Sequence, residues 1–396
     1  MKLVEFSKRT KDENTIDFLD LKHAEKVKAF HRSFPMYQPT PLCDLKNLAT
    51  ELAVKKFFVK DESYRFDLNA FKVLGGSFAI GSYIAKKLGM DIADLPYERM
   101  ISKEIKEKLG DITFVTATDG NHGRGVAWTA RQLGQKAVVY MPKGSSKERF
   151  DNIKAENADV TITDLNYDDA VRMASEHAEK YGWVMVQDTS WEGYQDIPRW
   201  IIQGYGTMAL EAFEQITEKP THIFIQAGVG ALAGAVTGFF ANAYKGSQKP
   251  IVTIVEPSAA DCIFRTAQAS DGQLHFVTGQ MDTMMAGLAC GEPCDIGWRV
   301  LENYADFAIS CADNISAKGM RVLGAPIEND VRIISGESGA APAGAAIEIL
   351  SNDAYANLRK TLKLNAESVV LCFSTEGATD KENYKAITWD GKECNA

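Results

Sequence analysis

The chain has 396 residues, 44 Lys+Arg against 53 Asp+Glu for a formal net charge of −9, with 45% hydrophobic and 24% charged residues. That balance belongs to a soluble globular protein and excludes a disordered chain, which is poor in apolar residues and strongly unbalanced in charge. The length accommodates two domains and a large core, and the dispersed negative charge offers no basic face for nucleic acid.

In chain order, the first notable segment runs from Asp61 to Gly76, where Lys72 sits between apolar residues at the start of a helix continuing through Phe78 and Ala79. A lysine in an apolar pocket loses its proton readily and can serve as a Schiff-base amine; the same residue alone more often extends its head to water. The charged stretch Asp91 to Asp111 reads as a solvated surface segment. Ile112–Ala117 is a buried strand, followed by Thr118-Asp119-Gly120-Asn121-His122-Gly123-Arg124-Gly125 and a helix whose Val126, Ala130 and Leu133 share one face. Ala137–Tyr140 is a strand, and Ser145 with Glu148 makes a capping box for a short helix carrying Phe150 and Ile153. Asp159–Thr163 and Trp183–Gln187 are strands flanking a helix marked by Ala170, Met173, Ala174, His177 and Tyr181; His177 reads as a core residue. Thr221–Gln226, Ile251–Val255 and Ser368–Phe373 complete the apolar runs. Strands alternating with helices imply an α/β protein with mainly parallel sheets.

Ligands of open α/β sheets bind beyond the carboxyl ends of the strands. Asp119 with Asn121, Asp188 with Trp191 and Tyr194, the loop Gly228-Val229-Gly230-Ala231, and Ser374-Thr375-Glu376-Gly377 all fall there. The glycine loop precedes a helix whose free N–H groups and dipole favour an anion, and it lacks the Lys-Ser/Thr ending of a nucleotide P-loop. Close packing by small residues is the competing reading. A rival function takes Gly228-x-Gly230-x-x-x-Gly234 as a loosened dinucleotide fingerprint with Glu256 as the ribose acid, making a dehydrogenase. Its glycine spacing is one residue too long, and it leaves Lys72 unused. One phosphate site, a candidate Schiff-base lysine, an asparagine turn and a terminal serine together match the needs of pyridoxal 5′-phosphate.

The longest uncharged apolar stretch, Ala227 to Ala241, has 15 residues, short of the roughly 20 needed to span a bilayer. Met1-Lys2-Leu3-Val4-Glu5 shows no secretory h-region. The seven cysteines (43, 262, 290, 294, 311, 372, 394) read as reduced thiols of a cytoplasmic protein. Cys290 and Cys294, the close pair, have no second pair or nearby histidine to complete a zinc site, so no metal is expected.

Several motifs carry a resemblance: Lys60-Asp61-Glu62-Ser63, Asn69-Ala70-Phe71-Lys72-Val73-Leu74-Gly75-Gly76, Thr118 to Gly125, Val186-Gln187-Asp188-Thr189, Gln226 to Ala231, Ala286 to Glu292, Ser335-Gly336-Glu337-Ser338-Gly339 and Ser374 to Gly377. In these the chain resembles the tryptophan-synthase-β-like (fold type II) pyridoxal-phosphate enzymes. Asp119, where the general family has Ser or Ala, resembles the branch acting on 2,3-diaminopropionate. The resemblance implies two domains, each an open, mainly parallel sheet flanked by helices: residues 1–82 plus 201–396 as the larger, cofactor-binding one, and 83–200 as a smaller insertion. It implies α,β-elimination of diaminopropionate to pyruvate and two ammonia; a serine/threonine dehydratase-type lyase is the alternative within the fold. Lys72 would carry the cofactor, the Gly228, Val229, Gly230 and Ala231 amides its phosphate, Asn121 its phenolic oxygen, and Ser374 its pyridine nitrogen, with Thr375 as fallback. Asp119 would act as base toward the D-enantiomer and Asp188 would hold the substrate's β-ammonium, although an N-cap and a strand-end turn are the plainer readings of the two. His122 reads as a loop brace, Glu337 as pocket floor, and Trp191 and Tyr194 as pocket lining or seam packing. Members of the family are usually homodimers.

Overall fold

The computed structural model describes residues 1–7, 13–118 and 120–394; Asp119 lies outside the described residues. Among the described residues, eleven strands fall in two sheets. They are β1 (Lys2–Glu5), β2 (Leu42–Asp44), β3 (Lys56–Asp61), β4 (Thr113–Ala117), β5 (Lys136–Met141), β6 (Asp159–Ile162), β7 (Val184–Met185), β8 (His222–Gln226), β9 (Ile251–Pro257), β10 (Phe307–Cys311) and β11 (Val369–Ser374). The larger sheet has the order β1-β10-β9-β8-β11-β3-β2, the smaller β6-β5-β4-β7. All pairings in the smaller sheet are parallel, and so are the five inner strands of the larger, with β1 and β2 added antiparallel at its edges.

Every residue of β8 and of β11 is buried, as parallel strands covered by helices on both faces require. β3, β10 and the two edge strands are absent from the sequence expectations. β3 reads as KFFVKD, and its charged residues mask it: Lys60 is wholly buried, yet its ammonium meets Glu211 at 2.8 Å and the Thr40 carbonyl at 2.6 Å. Such pairing lets an ionised side chain occupy a core position. β7 is shorter than Trp183–Gln187 because the pairing passes from backbone to side chain. Gln187 Oε1 accepts from the Ala117 amide at 3.1 Å and from the Thr116 hydroxyl at 2.7 Å, turning the chain toward Asp188.

The capping box is corrected by one residue. Ser146, not Ser145, caps the helix Lys147–Lys154, accepting from the Arg149 amide, while Ser145 Oγ donates to the Pro142 carbonyl. The charged stretch after Asp91 forms two short helices, Tyr97–Met100 and Lys103–Leu109, that still bury Met100, Ile105 and Leu109. Among the described residues, no helix is long and apolar enough to cross a membrane.

The helix Val73–Leu88 crosses the helix Asn121–Gln132 unusually closely at Gly125. A Cβ there would stand 2.8 Å from Val73 Cα and 2.9 Å from its nitrogen. Two backbones in contact at that point fix the first turn of Val73–Leu88, and so the height at which Lys72 enters the cleft between the sheets.

Candidate active site

The carboxyl ends of β3, β8 and β11 from one sheet, and of β4 and β7 from the other, converge on one cavity. Lys72, Asn121, Asp188 and the loop Gly228–Ala231 all line it, together with Thr375 and Glu376. Lys72 is the residue before the helix Val73–Leu88. The segment leading to it is locked to the loop after β11: the Phe71 amide donates to the Thr375 carbonyl at 3.0 Å, and Gly377 to that of Asn69 at 3.0 Å. Phe66, Asp67 and Asn69 there hold positive φ of 50°, 58° and 61°, a conformation that only a strong surrounding contact set keeps in place.

The Lys72 ammonium donates to Asp188 Oδ2 at 2.5 Å. Asp188 directly follows the turn at Gln187 and is 3% exposed. Burial drives its carboxyl up, but the Lys72 charge and the His122 imidazole overcome this and hold it well below the ordinary carboxylate range. The same pairing outweighs the burial of Lys72 and holds its amine above the ordinary lysine value. Tyr167 contacts the other carboxylate oxygen at 3.4 Å and accepts from Gln187 Nε2 at 2.8 Å. His122 Nε2 hydrogen-bonds the Val186 carbonyl at 2.8 Å, bracing the loop. Tyr194 does likewise, its hydroxyl accepting from the Gln187 amide at 2.8 Å and donating to Met185 at 3.1 Å; Trp191 stacks on it with centroids 4.4 Å apart.

On the opposite wall, Gly230 has φ +92°, and the helix Ala231–Ala243 starts immediately after it. That left-handed turn, which glycine adopts without steric cost, aims the helix N-terminus into the cavity. The Val229 carbonyl is tied outward by the Cys294 amide at 2.7 Å. Gln226 Nε2 donates to Thr375 Oγ1 at 2.7 Å, while its buried Oε1 has no hydrogen-bond partner among the described residues. Ser374 departs from expectation. Strand alternation turns it away from the cavity, and its hydroxyl donates to Ser335 Oγ at 2.8 Å. Thr375 is the hydroxyl that faces the cavity. An amine at one end, an anion cradle at the other, and a hydroxyl, an amide and an orphaned carbonyl oxygen between them suit a planar aldehyde that bears a phosphate.

The dinucleotide reading fails on Glu256. Its carboxylate accepts from the Ile263 and Phe264 amides at 2.9 and 2.7 Å, closing the N-terminus of the helix Cys262–Ala269, and burial pushes its carboxyl far up. Glu256 is wholly buried, so neither oxygen is presented to a ribose. Cys294 Sγ lies 3.2 Å from Ser190 Oγ, and all seven cysteines are free thiols. Glu376 and Tyr167 are cavity residues to which the sequence pattern assigned no role.

The chain belongs to the pyridoxal-phosphate dependent enzymes, whose family pattern matches residues 34–375. Its cofactor is pyridoxal 5′-phosphate, and its α/β fold is the tryptophan-synthase-β-like one. Within that class, it is 51% identical over 372 residues to the diaminopropionate ammonia-lyase of Salmonella typhimurium, covering 93% of this chain and 92% of that one. The crystal structure of selenomethionine-incorporated holo diaminopropionate ammonia-lyase from Escherichia coli superposes with a TM-score of 0.92 at 47% identity, covering 99% of this chain and 97% of the other. The Escherichia coli enzyme in complex with an aminoacrylate-PLP azomethine reaction intermediate gives a TM-score of 0.89 at 46% identity, with the same coverage.

Proposed function

We propose that this protein is a carbon–nitrogen lyase that converts 2,3-diaminopropionate and water into pyruvate and two ammonia. The observation that carries the reading is the Lys72–Asp188 pair, an amine and a buried carboxylate facing a glycine anion cradle across one cavity, in a chain half identical to lyases of that name. When bound, pyridoxal phosphate supplies the electron sink that acidifies the substrate's α-C–H.

The protein's part is binding and proton handling. Lys72 holds the cofactor covalently, the amides of Gly228 to Ala231 hold its phosphate, Asn121 donates to its phenolic oxygen, and Thr375 takes the place assigned to Ser374. While Lys72 is engaged, Asp188 is a buried carboxylate that has lost its cation, a state costing several kcal/mol. The substrate's β-ammonium restores the pair, which selects a diamine over serine. With its amine free, Lys72 would accept the α-proton on its own face. Asp119 serves the opposite face, that of the D-enantiomer, and can return a proton to the departing amine; this role rests on the resemblance of its motif. The division into 1–82 plus 201–396 and 83–200 belongs to the same proposal, supported by the smaller sheet lying wholly between Thr113 and Met185. So does a homodimer, from the family habit, and a cytoplasmic setting, from the seven free thiols.

The test combines spectrum, mapping and product. The purified protein is expected to be yellow, to bleach with borohydride, and then to carry the pyridoxyl group on the Lys72 peptide. Diaminopropionate should yield pyruvate and ammonia in a ratio of about 1:2, as the overall reaction balances. Labelling of another lysine, or turnover of serine with none of diaminopropionate, overturns the assignment.

A further inference from the structure

Glu376 stands just past β11, 2% exposed, among the cavity residues. Three separate segments pin it. Its backbone forms an isolated antiparallel bridge with Ala70, two residues before Lys72, and its carbonyl accepts from the Gly336 amide at 2.8 Å. Its carboxylate is divided between two donors. Oε1 accepts from the Ser338 amide at 3.0 Å, in the first turn of the helix Glu337–Ser351, and Oε2 accepts from Asn121 Nδ2.

A carboxylate without a proton only accepts hydrogen bonds, whereas the two ends of an asparagine amide have nearly the same shape and opposite polarity. Packing alone therefore does not decide which end of Asn121 points where; an acceptor-only neighbour does. With one N–H held on Glu376, the second N–H of the same nitrogen is the donor left for the cavity. The Ser338 amide fixes the other carboxylate oxygen, so the carboxylate cannot turn away.

We infer that Glu376 is a positioning residue that sets the orientation of the Asn121 amide and keeps its N–H directed at the cofactor. The inference rests on the reading of Asn121 as donor to the phenolic oxygen. It adds a second specification to the cleft: the motif after Asp119 and the one after β11 act as a unit, though neither has that meaning alone.

Glu376→Gln tests it. The Ser338 amide claims the new side chain's carbonyl oxygen, which leaves its NH2 facing Asn121. Two NH2 groups repel, so Asn121 flips, and the cofactor loses its donor. The readout is the pH titration of the holoenzyme's visible band. Loss of a hydrogen bond to an oxygen that develops negative charge raises the pH at which that oxygen protonates, by about one unit. Asn121→Ala should give the same displacement, and the double variant no more than Asn121→Ala alone. Glu376→Asp keeps the charge but is too short to span both donors, and is expected to displace the band in the same direction if Glu376→Gln accumulates poorly. A titration displaced by Asn121→Ala but not by either Glu376 variant overturns the inference and leaves the Asn121 reading standing. A titration unmoved by Asn121→Ala overturns that reading, and the inference falls with it.

Discussion

Glu337 opens the helix Glu337–Ser351 and is 1% exposed. Its Oε1 accepts from Asn383 Nδ2 at 2.6 Å, and an Arg149 nitrogen stands 4.0 Å from Oε2. Burial, and then the charge of Glu376, push its carboxyl from 4.5 up to about 7 against the pull of Arg149. The folded state therefore keeps a proton that the unfolded chain releases. This contribution to stability is complete below the unfolded value and is lost as pH rises through the folded one. At 1.36 kcal/mol per pH unit, the gap amounts to roughly 3 kcal/mol, most of it falling between pH 5 and 8. Glu337→Gln keeps the size and the bond from Asn383 but cannot ionise. Urea unfolding of both proteins at pH 5, 6.5 and 8 reads the difference. The variant's stability relative to the wild type is expected to rise by about 2–3 kcal/mol across that range, whatever its offset at pH 5. Parallel stability profiles would refute the reasoning, because Glu337 would then be ionised in the fold throughout.

Two further substitutions separate positioning from chemistry. Gly125→Ala places a methyl 2.8 Å from Val73 Cα, a backbone clash that should cost roughly 1–3 kcal/mol in thermal or urea unfolding and loosen cofactor retention on dialysis; full stability and full visible absorbance would show that the helix crossing does not seat Lys72. Asp119→Asn removes proton acceptance at nearly constant size, so turnover of D-2,3-diaminopropionate should fall about 10²–10⁴-fold and that of the L-form less. Equal losses would point to protonation of the leaving amine, and unchanged rates to a helix cap.

The inner strands legible in the sequence carry an apolar pair or run of Val, Ile, Phe or Leu at their centre, as β4, β5, β8, β9 and β11 do, although β8 and β9 also bury His222, Gln226, Thr253 and Glu256. β3 was hidden because its pattern is broken by Lys56 and Lys60, and no local rule reveals that Glu211, 151 positions away, will neutralise the latter. β1 is a four-residue edge strand with both ends exposed, so little distinguishes it from a surface loop.

The site divides along the same line. Gly228 to Ala231 was readable because a glycine loop between a strand and a helix is a local device, complete within a few residues. Lys72 drew notice for its apolar setting, yet the partner that holds its amine lies 116 positions away, and the contact between Asn121 and Glu376 spans 255. Ser374 shows the limit most sharply. The hydroxyls at 374 and 375 are chemically near equivalents, and only the alternation of β11 past its last pairing, Ser374 with Asp61, decides which one meets the cavity. Since side chains one residue apart on a strand face opposite ways, a one-residue error in register exchanges a cavity hydroxyl for one bonded to Ser335. The same holds for Glu376, which reaches Asn121 and Ser338 together only because the chain has left the sheet and bridged to Ala70. Residue types name the chemistry available at a strand end; the register with which that end leaves the sheet determines which of them the cofactor meets.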